Sequence, residues 1–463
     1  MSKLSCGLLL TCCLLPLSCT STGDQALPLR TPLASPTSKS ERVIALIGTM
    51  SGPDRWRGSD AFEGANLGVQ ALNRNVAPGR PQFQLVTRDD EGDAERATAL
   101  VKEETTDARV QGVVYAGPPE GLPPAEEALD SAGIPALLCY GDLAGAGLLR
   151  SHTFQVSPTY PWEARSLVSY ALKDRHYRRL GLLVDTSLTG QTAQRAIAAE
   201  ARALGKARIT TARYAPDTAD FAPALEKLKR ARVSAVVVAA SPPHFVRVQR
   251  TLRSMDARYR STSDARSPRG PWRPQVLAFD GAVAPQPYQV FPGTVASDSY
   301  SRGAHYLPLP GFREFASAFE KWWGKRPLGW EVRSYDAVQM IGWASFRADV
   351  NEDIASVLEG INGQRFAGLP IALSSRDHLA LDQDAIGLWV VPRTTEYVYE
   401  RTVLPVSLPW VPLARSFSRN ERRTSIPAAD WGPLFIGGNR AKRAPSVYKM
   451  RYGITSRRSD PFH

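Results

Sequence analysis

The 463-residue sequence predicts an α/β protein of two doubly wound lobes. A unit of short β-branched run, polar loop and amphipathic helix repeats from Val43, and the same rhythm restarts after Phe154-Gln155-Val156. Parallel strands need helical crossovers of this kind, so each run implies a mostly parallel sheet. The length agrees, being too great for one small core and too short for many domains.

In the first run, Val43 to Gly48 is the opening strand, and Phe62, Ala65, Val69 and Leu72 share one face of the helix that follows. Phe83 to Thr87 is next, then a helix capped by Asp93 with Ala97, Leu100 and Val101 inward. Gly112 to Ala116, a helix near Pro124 to Ser131 and a strand at Pro135 to Leu138 complete it. The second run begins with Leu180 to Val184 and a helix carrying Ile197, Ala201 and Leu204. It continues through Ile209 to Tyr214, a helix with Phe221, Leu225 and Leu228, and the continuous apolar strand "VSAVVVAAS". Phe245, Val248, Leu252 and Met255 line the next helix, and Gln275 to Phe279 is its strand. "SDARSPRGPWRP", Ser263 to Pro274, reads as an insertion. Further on come a strand at "TVASDSY", an aromatic-faced helix at "FREFASAFEKWWGK", a helix at "SYDAVQMIGWASF", and a closing hairpin of Ile386 to Val391 with Tyr397 to Tyr399.

The two ends of the chain are built differently. One Lys, an apolar run from Leu4 to Leu17 and small polar residues read as an export signal over residues 1–19. That run is shorter than the roughly 20 residues of a membrane-spanning helix. Leu17-Ser18-Cys19 resembles the lipobox of bacterial lipoproteins, which makes Cys19 the lipidated first residue of the mature chain; ordinary cleavage nearby is the alternative. Thr20 in place of an Asp then implies the outer membrane in a Gram-negative source. Residues 20–41 are a Ser/Thr/Pro-rich tether. At the far end, residues 402–463 hold eleven Lys and Arg against three acids, so most of the net charge of +12 resides there. This basic extension is read either as a contact for envelope lipid, cell wall or protein, or as a solvated tail. Export disfavours nucleic acid as a partner. With the signal removed and Cys19 lipidated, Cys139 alone remains, which excludes an intramolecular disulfide. No Cys/His spacing fits a metal, and no nucleophile or cofactor motif stands out, so neither a cofactor nor an enzyme is expected.

The motifs and their order are specific. "SGP", Gly58 and "EGANLGVQALN" are followed by "VTRDDEGDAERA", "YAGP", "AGIPALL", "FQVSPT", "LLVDTSLTGQ", "YAPDTADF", "SAVVVAASP", "GTVASDSY", "FEKWWGKRPLGW" and "SYDAV". Over about Arg42 to Tyr399 this series resembles the type I periplasmic binding proteins for branched-chain amino acids and amides. The resemblance implies two Rossmann-like lobes on a three-crossing hinge, with residues 42–155 and about 282–375 in the N-terminal lobe and 156–281 and about 376–401 in the C-terminal lobe. It also implies a small polar solute trapped as the lobes close, and presentation to an ABC-type permease; an envelope scaffold that uses the same fold to meet protein or cell wall is the alternative. In this family the ligand carboxylate meets loop amides and a helix N-terminus, where unpaired N–H groups favour an anion.

The positions that would line the cleft are Ser51, Trp56, Arg57, Gly117, Pro118, Glu120, Tyr140, Asp142, Thr189 and His244. Several depart from the family. Its pair of Ser after the Gly-Pro turn is replaced by Pro119-Glu120-Gly121, and its Ser-Ala-Thr stretch by Tyr140-Gly141-Asp142. An aromatic residue gives way to Arg57 beside Trp56, a Tyr to Thr189, and the acid that meets the ligand's ammonium has no counterpart near His244. Three readings stay open. The cleft takes a cationic or neutral polar ligand through Asp142, Glu120, Tyr140 and Trp56, or Arg57 neutralises Glu120 and Asp142 in a closed ion-pair network, or the cleft is vestigial. Asp89 and Asp90 read as turn caps, His244 as a capping or surface residue, Cys139 as a small buried side chain, and at least one of Trp322 and Trp323 as core.

Overall fold

A computed structural model of the chain describes residues 41–402, apart from 78–80, 206, 262–271, 281–293, 300–309, 325–326, 328–329, 350–351, 369 and 391–397. The first sheet has five parallel strands in the order β2 (Phe83–Asp89), β1 (Arg42–Gly48), β3 (Val110–Ala116), β4 (Ala136–Leu138) and β5 (Thr153–Gln155). All seven residues of β1 are buried, as a central parallel strand covered on both faces requires. Helices α1 (Trp56–Asn75), α2 (Ala94–Glu104), α3 (Glu126–Ala132) and the short α4 (Leu143–Ala146) follow β1 to β4 in turn. Asp93 caps α2 as expected, its Oδ1 accepting from Arg96 N–H at 2.8 Å.

The second sheet runs β7 (Arg208–Tyr214), β6 (Arg179–Asp185), β8 (Ala235–Ala239), β9 (Gln275–Ala278) and β10 (Val295–Ser299) in parallel. Antiparallel β13 (Ile386–Val390) and β14 (Val398–Thr402) then close its edge, in accord with the expected hairpin. Helices α5 (Tyr160–Ser169), α6 (Leu188–Ala203), α7 (Ala222–Arg230) and α8 (Pro242–Ser261) belong to this lobe. Phe221, Leu225 and Leu228 are fully buried, so the periodicity of that segment located the inward face correctly.

The chain then returns to the first lobe through α9 (Pro310–Trp323), α10 (Trp330–Ser345), α11 (Ile354–Leu358) and a small hairpin of β11 (Asn362–Gln364) and β12 (Ile371–Ala372). Helix α10 lies against α1 along their lengths. A Cβ on Gly64 would come within 1.9 Å of the Glu331 carbonyl oxygen, so glycine is what lets the two backbones approach. The aromatic face of α9 buries Phe312, Phe315 and Phe319; Trp323 packs near Phe62 and Phe319, and Trp322 is exposed.

Two expected lobe boundaries move. Strand β10 pairs with β9 and β13, so it belongs to the second lobe, and the chain recrosses between Ser299 and Pro310 rather than near residue 282. Leu373 and Ala380 remain in the first core, which places the last crossing just before β13 instead of near 376. Periodicity does not reveal which sheet a strand joins; only pairing does. At the hinge, Gln155 N–H donates to the His378 carbonyl and Ala380 N–H to the Gln155 carbonyl, both at 2.9 Å, so the outgoing and returning strands lie side by side. The expected signal, tether and most of the basic extension lie outside the described residues, as does most of the Ser263–Pro274 insertion.

Candidate ligand-binding cleft

Every predicted site residue follows the C-terminal end of a parallel strand, which is where loops of doubly wound sheets converge on ligands. Ser51, Trp56 and Arg57 follow β1; Gly117, Pro118 and Glu120 follow β3; Tyr140 and Asp142 follow β4; Thr189 follows β6 and His244 follows β8. The structure does not give them one role.

Some of these residues shape the loops. The Ser51 hydroxyl and the Met50 and Glu91 N–H groups bond the Asp89 carboxylate; burial pushes that acid up, but these donors outweigh it and hold it below its ordinary range. Asp90 Oδ1 accepts from Thr49 Oγ1 at 2.8 Å and Gly92 N–H at 2.7 Å, so both acids cap turns. Gly117 packs its Cα against this acid: a Cβ there would sit 2.2 Å from Asp90 Oδ2. The Pro118 carbonyl accepts from Tyr115 Oη at 2.6 Å, which turns the next residues into a short 3-10 segment, Pro119–Gly121, with Glu120 half-buried in it.

Asp142 departs from its expected role. It is 3% exposed, and its oxygens already accept from Gly145 N–H at 2.7 Å, Gln155 Nε2 at 3.1 Å and Tyr160 N–H at 2.6 Å. It caps α4 and ties the β4 loop to the first turn of α5, so it joins the lobes rather than waiting for a ligand. Nor does Arg57 bridge Asp142 and Glu120. Its guanidinium pairs with Asp54 at 3.4 Å, one helical turn back.

A compact aromatic group fills the first-lobe wall. Trp56, Tyr140 and Trp330 have ring centroids 5.2–5.3 Å apart in edge-on and tilted contacts, geometry that the ring quadrupoles favour. Arg57 Cζ lies 4.1 Å from the centroid of Tyr140 and 5.6 Å from that of Trp56. Such a cation over a desolvated ring is worth about 1–2 kcal/mol. Burial opposes the Arg57 charge, yet Tyr140, Asp54, Tyr160 and Glu120 around it hold its pKa above the ordinary value. Burial pushes the Tyr140 phenol up to about 12, so it stays a neutral hydrogen-bonding group.

The second lobe supplies the facing wall. The side chains of Tyr160 and Thr189 hydrogen-bond to each other. The His244 ring lies 5.7 Å from that of Tyr214 and 5.5 Å from that of Phe221, so it packs against aromatic neighbours in the first turn of α8. Burial lowers its pKa, while the charge of Asp54 across the cleft pulls the other way.

A charged network deeper in the molecule had no forecast in the sequence. Arg333 of α10, 1% exposed, pairs with the Asp280 carboxylate just beyond β9, and its Cζ lies 4.6 Å above Trp330. Asp280 N–H donates to Glu163 Oε2 at 2.7 Å, and Ser297 Oγ donates to the same oxygen at 2.5 Å. Burial first, and the Asp280 charge second, push the Glu163 carboxyl well up. Helix α10 belongs to the first lobe and the other three residues to the second, so this network spans the lobes. The burial of α10 is the physical reason for the network. All but one of its residues from Trp330 to Ser345 are buried, so charged groups within it need partners inside the protein. Asp60, Glu63 and Glu331 also bring carboxylate oxygens within 4.8 Å of one another between α1 and α10, a spacing a cation would suit; each of these acids has other interactions as well.

Two hinged α/β lobes whose strand-end loops meet across a cleft define a solute-binding protein. The chain belongs to the periplasmic binding protein family, whose profile matches residues 42–386. This is a family of extracytoplasmic binding proteins, not enzymes. Solved structures agree on the fold. A type 1 periplasmic binding protein of Bordetella pertussis is 17% identical with a TM-score of 0.65, covering 78% of this chain and 100% of its own. The leucine-binding protein of Thermotoga maritima is 17% identical with a TM-score of 0.64, over 79% of this chain and all of its own. The substrate-binding protein of a branched-chain amino acid transporter from Streptococcus pneumoniae, solved with isoleucine, is 16% identical with a TM-score of 0.64 over the same shares. No curated protein sequence matches the chain.

Proposed function

We propose that the chain captures a small polar solute between its lobes for an ABC-type uptake system, and that this solute is not a standard branched-chain amino acid. The observation that carries this reading is the loop after β3. Where the resemblance calls for two hydroxyls, Pro119–Gly121 forms a 3-10 turn that offers no hydroxyl and places Glu120 within electrostatic reach of Arg57. An amino-acid carboxylate there meets an acid in place of donors. The structure solved with isoleucine therefore guides the fold and not the ligand.

A thermal-shift screen of the mature protein against a metabolite library tests this. A stabilising hit among neutral or cationic solutes supports the reading; a response confined to leucine, isoleucine and valine sinks its second half. Membrane attachment through Cys19 belongs to the same proposal. A fatty-acid analogue is expected to label the wild type and not Cys19→Ala. The eleven basic residues of 402–463 favour a second reading, an envelope scaffold that binds protein or cell wall. It predicts that deleting residues 402–463 removes co-purifying partners while no library compound shifts the melting temperature.

A further inference from the structure

The stretch from Asp54 to Arg57 leaves hydrogen-bonding capacity unspent. Arg57 Nε, Trp56 Nε1 and Asp54 Oδ1 are buried with no hydrogen-bond partner among the described residues. Buried polar groups are nearly always paired, so each unpaired one calls for an explanation. All three lie at or just before the start of α1, on the first-lobe wall of the cleft, and Trp56 itself is only 4% exposed. Together they are two N–H donors and one carboxylate oxygen, set among the rings of Trp56, Tyr140 and Trp330 and the flat guanidinium on Tyr140.

Charge narrows what fits. The Arg57 cation is already offset by Asp54 at 3.4 Å, and Glu120 adds a negative charge within reach, so the site has no surplus positive charge for a carboxylate. A ligand cation would meet Arg57 itself. We propose that this wall binds a flat, neutral heterocycle whose edge carries a carbonyl beside an N–H, as in a lactam or a pyrimidinedione. The carbonyl accepts from Trp56 Nε1–H and Arg57 Nε–H, the ring N–H donates to Asp54 Oδ1, and the ring lies against the aromatic group. This deepens, and rests on, the solute-binding reading above.

Calorimetric titration of the full-length mature chain tests it with four single-ring probes: uracil, benzoate, L-phenylalanine and benzylamine. Uracil is expected to bind at least about tenfold more tightly than the other three. Trp56→Phe keeps a ring and deletes one donor, and Arg57→Lys keeps the charge and deletes Nε–H. Each is expected to weaken uracil about tenfold, the effect of one lost hydrogen bond, with melting temperatures recorded to show that the variants fold. Tighter binding of any other probe overturns the proposal, as does unchanged uracil affinity in a folded Trp56→Phe protein. Should none of the four bind while a library compound does, the heterocycle is excluded and the solute-binding function stands. If no library compound binds either, both fall.

Discussion

Two arginines of the first lobe each place a guanidinium on an aromatic ring, yet their surroundings assign them opposite work. Arg333, on Trp330, is sealed from water and pairs across the lobes with Asp280, behind which Glu163 and Ser297 extend the network. Arg57, on Tyr140, pairs within its own lobe, with a partly exposed Asp54, and its Nε has no hydrogen-bond partner among the described residues. What separates a structural cation from one that can meet a ligand is whether its donors are already used. Residue type and ring contact do not distinguish them.

The comparison breaks first at Arg333. Replacing it by Met leaves Asp280 charged and buried, and denaturant melting is expected to show a loss of about 3–5 kcal/mol. The double variant Arg333→Met/Asp280→Asn should recover part of that loss, because the stranded charge is gone. A double variant no more stable than the single one would show that the pair is not the source of the effect.

Next in size is Asp142→Ala, which removes the acceptor for three donors and is expected to cost roughly 1–3 kcal/mol. Because Asp142 ties loops and does not face solvent, the order of ligand preference should be unchanged once the variant is folded. A changed preference with unchanged stability would return Asp142 to the ligand site.

The network around Arg333 also predicts a pH dependence. The Glu163 carboxyl is raised in the folded chain, so the unfolded chain releases its proton first as pH climbs above the ordinary Glu value. Stability from this group is complete below that value and is lost as pH rises to the folded value. Asp336, pushed up to about 7 by burial although Ala367 and Gly368 N–H groups favour its anion, contributes with the same sign. Melting temperatures between pH 5 and pH 8 should therefore fall more steeply for the wild type than for Glu163→Gln. Equal slopes in the two proteins would remove Glu163 as the source.

The smallest expected change in stability is at Arg57. Its ion pair is partly exposed, with side chains 14% and 32% accessible, so Arg57→Met should cost no more than about 1–2 kcal/mol, most of it from the ring contact, while ligand response disappears. A large loss of stability with binding retained would reverse the roles assigned to the two arginines.

Much of the fold was legible in residue order. Apolar runs such as "VSAVVVAAS" announce central parallel strands, and the three- and four-residue spacing of Phe221, Leu225 and Leu228 announces a buried helix face, because these periods follow from backbone geometry. The candidate cleft was legible in outline, since loops at strand ends are marked by Gly, Pro and Asp. Its interior was not. Trp330, Arg333, Asp280 and Glu163 come from segments far apart in sequence, and Asp142 looked like a ligand acid because two of its three donors, Gln155 and Tyr160, lie well beyond its own helix cap.

By itself, the sequence determined two α/β lobes, the strands and helices within them, the loops at the strand ends and the absence of hydroxyls in Pro119–Gly121, all local properties of pattern and composition. Only the tertiary structure decided that β10 joins the second sheet, that Gln155 and Tyr160 consume Asp142, that Arg333 rather than Arg57 ties the lobes, and that Trp56, Arg57 and Asp54 each keep a hydrogen-bonding atom with no partner among the described residues. The reason is physical. Whether a polar group is satisfied depends on partners brought within about 3 Å by folding, and no local spacing encodes that distance.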